Sequence, residues 1–401
     1  MVKPTDFNPM PSTIMHVDLN SCFATIEQQA NPILRGKPIA VAAYTTGNGC
    51  IVAPSVEAKR LGIKVGMRVK DGLAIYPKLI VLSPDPDKYR FVHIGLRKIL
   101  SDYTDKITPK SIDEFVLDIT GLDMWQTGRE IKNRIKKEIG EWLTVSVGIG
   151  PNRFLAKTAA GLRKPDGLDE INISNFAEIF MGLKLTDLCG IKTANANRLN
   201  RMNIYTVLDF YEADVTILKS AFQSITGYYW YQRLHGYEID EVAWDRKSFG
   251  NSYAFYKQPS DIADLAPILQ KLVEKMGFRL RRAGFSARGV HVSLLYRDFV
   301  YWHHGQVGPI IFDSRDIYKR ALQILQTSPR LPVHTLAVSC FDIIKTDFIQ
   351  GSLLEDLDKK RRLIEAVDSI NERWGNFVIT PATMFGTNSL VLDRISYNVI
   401  E

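Results

Sequence analysis

Cysteine is scarce in this sequence. The four present, Cys22, Cys50, Cys189 and Cys340, are too scattered for a zinc motif or a disulfide framework, which points to a reducing cytoplasm. No apolar run approaches the roughly 18 residues that a membrane-spanning helix needs. Residues 1–12 hold no basic stretch leading into an apolar one, so no secretory signal is expected. Repeats and low-complexity segments are also missing, which argues against a repeat architecture.

What remains is an ordinary globular composition. The chain has 401 residues, 45% hydrophobic and 24% charged, enough for two to four domains. Charge is unevenly spread. Residues 244–345 hold 15 Lys and Arg against 8 Asp and Glu, an excess of seven that equals the formal net charge of the whole chain, +7. Such a localised basic module fits a polyanionic partner, most often nucleic acid, though a solubilising surface would look the same.

Periodicity divides the chain. An apolar strand, Ile14 to Leu19, runs into a helix-like stretch from Cys22 to Gln29. Residues 30–88 are short apolar runs broken by Pro and Gly, with the best helix at Ser55 to Leu61. Helical patterns at 90–104, 128–142 and 151–162 alternate with strands at 106–119 and 144–149, indicating an α+β or α/β core. Residues 173–242 read as all-helical. Residues 243–345 read as a self-contained strand-helix-strand-strand-helix-strand unit. An extended segment, a helix ending near Gly375 and an ambiguous tail follow.

Three carboxylates stand out. Asp18 ends the first apolar strand, where it can face a cleft. Asp113 and Glu114 are adjacent, so in a regular strand they would point to opposite faces. They serve one site only if the backbone turns or bulges there. Three hard oxygen ligands suit Mg²⁺, and a pair of such ions about 3.5–4 Å apart can activate a hydroxyl and neutralise a leaving pyrophosphate. A solvated hairpin tip is the plain alternative.

The surrounding residues narrow the choice. Ser111-Ile112-Asp113-Glu114 resembles the S-I-D-E signature of Y-family translesion DNA polymerases. His16-Val17-Asp18, Asn48 to Ala53, Glu57 to Lys64, Val147 to Asn152, Leu155-Ala156-Lys157 and Lys164-Pro165 match in the same order. The resemblance covers about 12–345 and is strongest to the UmuC branch.

The resemblance implies an α+β right-hand polymerase: palm (12–29 and 89–172), small fingers (30–88), helical thumb (173–242) and an α+β little finger (243–345) that grips DNA, then a clamp-binding segment and tail (346–401). It implies low-fidelity synthesis past damaged template bases as part of the SOS response, without proofreading. The metal ligands are then Asp18, Asp113, Glu114 and the carbonyl of Leu19, holding two Mg²⁺ ions with Mn²⁺ as a substitute. Lys59, Lys164 and the backbone amides of Cys22 and Phe23 take the triphosphate, and the Phe23 ring is the steric gate against ribose. Many family members carry Tyr and Arg where this chain has Val56 and Lys59.

Leu188 to Lys192 resembles a helix-hairpin-helix turn, with Lys192 in place of its second Gly. Gly190, Lys192, Arg281, Arg282 and Arg288 are the candidate DNA contacts, and Arg153 and Lys157 share a helix face suited to phosphate. Gln350-Gly351-Ser352-Leu353-Leu354 resembles the bacterial sliding-clamp pentapeptide, with Gln350, Leu353 and Leu354 as contacts. The expected partners are primer-template DNA, a deoxynucleoside triphosphate (dNTP), that clamp and an accessory regulatory protein. The expected form is a monomeric, cytoplasmic, nucleoid-associated catalytic subunit. A noncatalytic DNA-binding relative and a two-metal nuclease are the competing readings.

Overall fold

The computed structural model describes residues 7–242, 246–346 and 357–392. It contains two compact units, meeting in sequence at 242/243. Among the described residues no helix is long and apolar enough to cross a membrane.

The first unit opens with strand β1 (Ile14–Leu19) and helix α1 (Cys22–Ala30), followed by β2 (Ile39–Ala42), β3 (Ile51–Pro54), α2 (Val56–Arg60), α3 (Val69–Ile75), β4 (Ile80–Leu82) and α4 (Pro86–Leu100). Next come β5 (Ile107–Pro109), β6 (Glu114–Asp118), α5 (Met124–Glu138), β7 (Val145–Gly150), α6 (Arg153–Leu162) and β8 (Leu168–Glu170). Helices α7 (Phe176–Gly182), α8 (Thr193–Asn200), α9 (Val207–Glu212), α10 (Val215–Phe222) and α11 (Thr226–Leu234) end the unit. Side-chain caps start many of these helices: Ser55 on α2, Asp85 on α4, Asp123 on α5 and Asn152 on α6.

Two sheets form. The larger has strand order β5-β6-β1-β7-β8, with β1 antiparallel to both neighbours; the smaller has order β3-β2-β4. Because side chains alternate along β1, Met15, Val17 and Leu19 enter a core packed by α1, α4 and α5, while Ile14, His16 and Asp18 take the opposite face. Helix α6 covers that second face, where Ala156 packs on Ile14 and Val116. Its approach requires Gly148: a Cβ there would lie 2.0 Å from the Ala156 carbonyl oxygen.

The second unit runs β9 (Ser248–Ala254), α12 (Ile262–Arg282), β10 (Phe285–Tyr296), β11 (Tyr301–Ile311), α13 (Ser314–Gln326), β12 (Val333–Lys345) and α14 (Leu357–Trp374). Its antiparallel sheet has order β11-β10-β12-β9. Val290, Val292, Leu294, Leu336, Val338 and Cys340 on one face bury against Leu269, Leu272, Met276 and Leu280 of α12 and Ile317 and Leu325 of α13.

Residues 357–392 are part of this unit. Val391 sits in the same core. The buried Lys271 ammonium donates to the carbonyls of Thr387 and Leu390, both at 2.6 Å, and Asn388 at 3.4 Å; Lys275 reaches the Val391 carbonyl at 2.8 Å. On α14, Asp368 receives two 2.8 Å hydrogen bonds from Arg281, and Lys360 pairs with Asp313 and Asp316.

Candidate active site

Asp18, one residue from the end of β1, lies directly across the strand pair from Glu114, the first residue of β6. Asp113 sits in the turn before β6. That turn is closed by Lys110 N–H to the Glu114 carbonyl (2.9 Å) and by the Ser111 hydroxyl, which accepts from the backbone N–H of Asp113 (3.3 Å) and Glu114 (3.1 Å). Leu19 N–H donates to the Asp113 carbonyl at 3.0 Å, stitching turn to strand. A local break in the strand thus lets two adjacent acids flank one site.

Lysines neutralise two of the three carboxylates. Lys164 Nζ lies 2.6 Å from Asp18 Oδ2, and Lys157 Nζ, from α6, lies 2.6 Å from Glu114 Oε2. The Asp113 carboxylate accepts from the Ser111 hydroxyl instead. Burial raises Asp18 above the ordinary carboxylate range against the pull of Lys164, and raises Asp113 against the Ser111 hydrogen bond. Burial pushes Glu114 up as well, but the hydrogen bond and charge of Lys157 outweigh it, and its pKa ends lowered.

His16 lies beneath these groups. It is 1% exposed, and neither ring nitrogen has a hydrogen-bond partner. Its Nε2 stands 3.9 Å from Glu114 Oε2. His16, Asp18 and Glu114 each bring a ligand atom within 4.8 Å of the others, the one such group among the described residues. Asp113 is outside this inner cluster, although it lines the same cleft as Asp18.

Burial, aided by Lys157 and opposed by Glu114, lowers His16 to about 4 from 6.5. The unfolded chain therefore binds the extra proton between those values and the native chain does not. Stability of the metal-free protein should be intact above about pH 6.5 and fall by up to about 3 kcal/mol as pH drops to about 4. Urea titrations in chelator at pH 7 and 4.5 measure this drop. It should shrink in His16→Leu, and an equal drop in both proteins would assign the acid sensitivity elsewhere.

A cleft of about 540 Å³ opens above Asp18 and Asp113. Lys59 from α2 and Lys164 form part of its wall, as do Leu19, Cys22 and Phe23 at the β1–α1 junction. Burial lowers the Lys59 pKa, with the Lys164 charge adding to it, so the wall holds two mutually repelling cations. Ser21 before α1 has φ 48°, a left-handed conformation uncommon for a side-chain-bearing residue, and its side chain caps no amide of the first turn. The Phe23 ring stacks on Tyr89 with centroids 4.5 Å apart, which fixes its position at the cleft.

Other expected contacts lie apart from the cleft. Gly190, at φ +94°, and Lys192, at the start of α8, form a hairpin between helices. Arg288 is exposed at a bulge in β10. Arg281 is corrected: its guanidinium is engaged by Asp368, Ser314 and the Phe312 carbonyl and is not offered to phosphate. Arg282 faces Glu372 at 3.3 Å, and Arg153 is tied to Glu238 and Glu241. Lys157 belongs to the carboxylate site and not to a duplex grip. Gln350, Leu353 and Leu354 fall outside the described residues. His16 was missed as a site residue; its position two residues before Asp18 on one strand was the available signal.

Known proteins resemble this chain in sequence and fold. Residues 17–161 match the impB/mucB/samB family and residues 246–353 match that family's C-terminal domain. DNA polymerase IV of Moorella thermoacetica is 30% identical over 381 residues, covering 92% of this chain and 94% of that protein. DNA polymerase IV of Pelotomaculum thermopropionicum is 29% identical over 398 residues, covering 96% and 98%. Among solved structures, a Dbh–Dpo4 Y-family polymerase chimera superposes with a TM-score of 0.73 at 26% identity, covering 83% of this chain and 99% of its own. An insertion ternary complex of Dbh DNA polymerase gives 0.57 at 25% identity with the same coverage. The chain belongs to the impB/mucB/samB family, the Y-family DNA polymerases that copy past damaged template bases.

Proposed function

We propose that this polymerase extends a primer through a two-metal centre held by Asp18, Asp113, Glu114 and the Leu19 carbonyl, with Mg²⁺ as the working ion and Mn²⁺ able to replace it. The donor set fits: oxygen ligands dominate it, and the site already draws two lysine ammonium groups to its carboxylates. Bound there, the ions would activate the primer 3′-hydroxyl and neutralise charge on the leaving pyrophosphate. The observation that carries the reading is the convergence of Asp18, Asp113, Lys59, Lys164 and Phe23 on one cleft. A noncatalytic relative would not need to keep these groups together.

The chain's own residues then have distinct tasks. Lys59 and Lys164 bind the triphosphate, with Lys164 released from Asp18 as the negative substrate arrives. The free first-turn amides of Cys22 and Phe23 donate to phosphate oxygens. Phe23, held by Tyr89, blocks the space a ribose 2′-hydroxyl needs. Phe23→Ala is expected to raise the ribonucleotide-to-deoxyribonucleotide efficiency ratio by about a hundredfold. Single-nucleotide insertion kinetics measure it, and an unchanged ratio removes Phe23 as the gate.

The domain roles follow as proposals. The five-stranded sheet supports reading 12–29 and 89–172 as the palm, the three-stranded sheet supports 30–88 as the fingers, the helices of 173–242 fit a thumb, and 243–345 is assigned as the little finger. The Gly190–Lys192 hairpin and Arg288 are proposed phosphate contacts. Gln350, Leu353 and Leu354 are proposed to engage a bacterial-type sliding clamp by peptide-in-pocket recognition. Leu in place of the common Phe limits this to micromolar affinity. Gln350→Ala with Leu353→Ala should abolish clamp-stimulated processivity and leave clamp-free synthesis intact. Titration of the cognate clamp against both proteins decides it, equal affinities eliminating the segment as the contact.

A further inference from the structure

The His16 imidazole is a buried side chain at the active site whose ring nitrogens both lack a hydrogen-bond partner, and the proposed mechanism does not use it. It shares a sheet face with Asp18, two residues on, and with Glu114, diagonally across the β1–β6 pair. Both ring nitrogens are closed to solvent and to every hydrogen-bond partner. Leaving such a group unsatisfied costs free energy, so its retention beside two carboxylates calls for a binding partner. The Nε2–Oε2 separation of 3.9 Å is a span that two coordination bonds of about 2.1 Å each can bridge through one ion. Asp18 completes a three-atom cluster within 4.8 Å. At present Lys157 supplies the positive charge that Glu114 requires, at 2.6 Å; an ion would take over that oxygen.

We propose that His16 Nε2 is a nitrogen ligand for a divalent ion at the Asp18–Glu114 site, biasing the polymerase toward first-row transition ions over Mg²⁺. The inference rests on the carboxylates binding metal, as read above. Its chemistry is that of donor preference. Mg²⁺ favours an all-oxygen shell, whereas ions of the Mn²⁺-to-Zn²⁺ series accept imidazole readily. Adding one nitrogen donor to two carboxylates therefore raises affinity for the second group selectively. Lys157 acts as the resident counter-ion that keeps the site neutral until the ion arrives.

The test uses the full chain without DNA or nucleotide, and Mn²⁺ as a paramagnetic probe. Pulsed electron paramagnetic resonance of the bound ion should detect a directly coordinated nitrogen, and ¹⁵N-histidine labelling should change that coupling. His16→Gln should abolish the coupling and weaken Mn²⁺ binding by about tenfold, with Mg²⁺ affinity changed by less than about twofold. Asp18→Asn, run in parallel, separates the two ideas. If Asp18→Asn leaves Mn²⁺ binding unchanged, the carboxylate metal site itself fails. If Mn²⁺ binding depends on Asp18 but the wild type shows no histidine nitrogen coupling, the carboxylate site stands and His16 is not a ligand. The wild-type spectrum decides this even if His16→Gln folds poorly.

Discussion

Replacing Asp113 or Glu114 with alanine is expected to slow primer extension by about a thousandfold, with affinity for primed DNA held within about twofold. The size follows from what one preorganised charged group contributes where charge develops in a water-poor site, about 10²–10³ in rate, plus lost metal affinity. Binding is spared because neither acid is a candidate contact to the DNA backbone. Folding is spared because the groups left behind, Ser111 and Lys157, are both partly exposed. Single-turnover extension measures the rate, and fluorescence anisotropy with labelled primer-template measures affinity. Near-wild-type extension by either variant would overturn the metal assignment. The two need not be equal: Glu114 belongs to the inner cluster with Asp18 and His16, and Asp113 flanks it.

Ending the chain after Phe385 should destabilise the second unit by about 3–5 kcal/mol, the usual consequence of removing partners from a buried charge. The cut deletes the Thr387, Asn388 and Leu390 carbonyls that accept from Lys271, which is 4% exposed, and the core residue Val391. For a domain of this size that corresponds to a fall in Tm of about 10 °C. Calorimetry should show the loss in the transition of the second unit, with that of the first unchanged. Lys271→Met in the shortened chain should recover part of the loss, because an apolar side chain needs no carbonyls. If the shortened chain melts like the full one, the C-terminal stretch is not structural.

Local chemistry made much of this molecule legible from sequence. Ser55 announced α2, the apolar run from Ile14 announced β1, and the Ser111–Glu114 break was deduced from the requirement that two adjacent acids share a site. Val290, Val292 and Leu294 alternate with less buried residues, a period-2 pattern visible in the sequence because one face of β10 is buried and the other is not. Features set by register or long-range contact were not legible. His16 reaches Glu114 only because β1 and β6 pair with Asp18 opposite Glu114. Lys157 looked like a phosphate contact because its carboxylate partner lies 43 positions away, and Arg281 did so because Asp368 lies 87 away. No helical or strand period encodes such distances. Strand β11 was not located because most of its residues are exposed, so its pattern carries little hydrophobic signal.

The docking of α14 has a consequence for the Gln350 segment. Strand β12 ends at Lys345 and α14 starts at Leu357, and the second unit holds both elements in place. The stretch between them is therefore a bridge moored at both ends, with a contour of at most about 40 Å at roughly 3.5 Å per residue. A clamp that seizes it does not catch a trailing end that can pay out slack. Under the proposed clamp contact, a clamp bound at Gln350 would be tied to the second unit from both sides of the segment, so capture by the clamp and delivery of this unit to nearby DNA would become a single event.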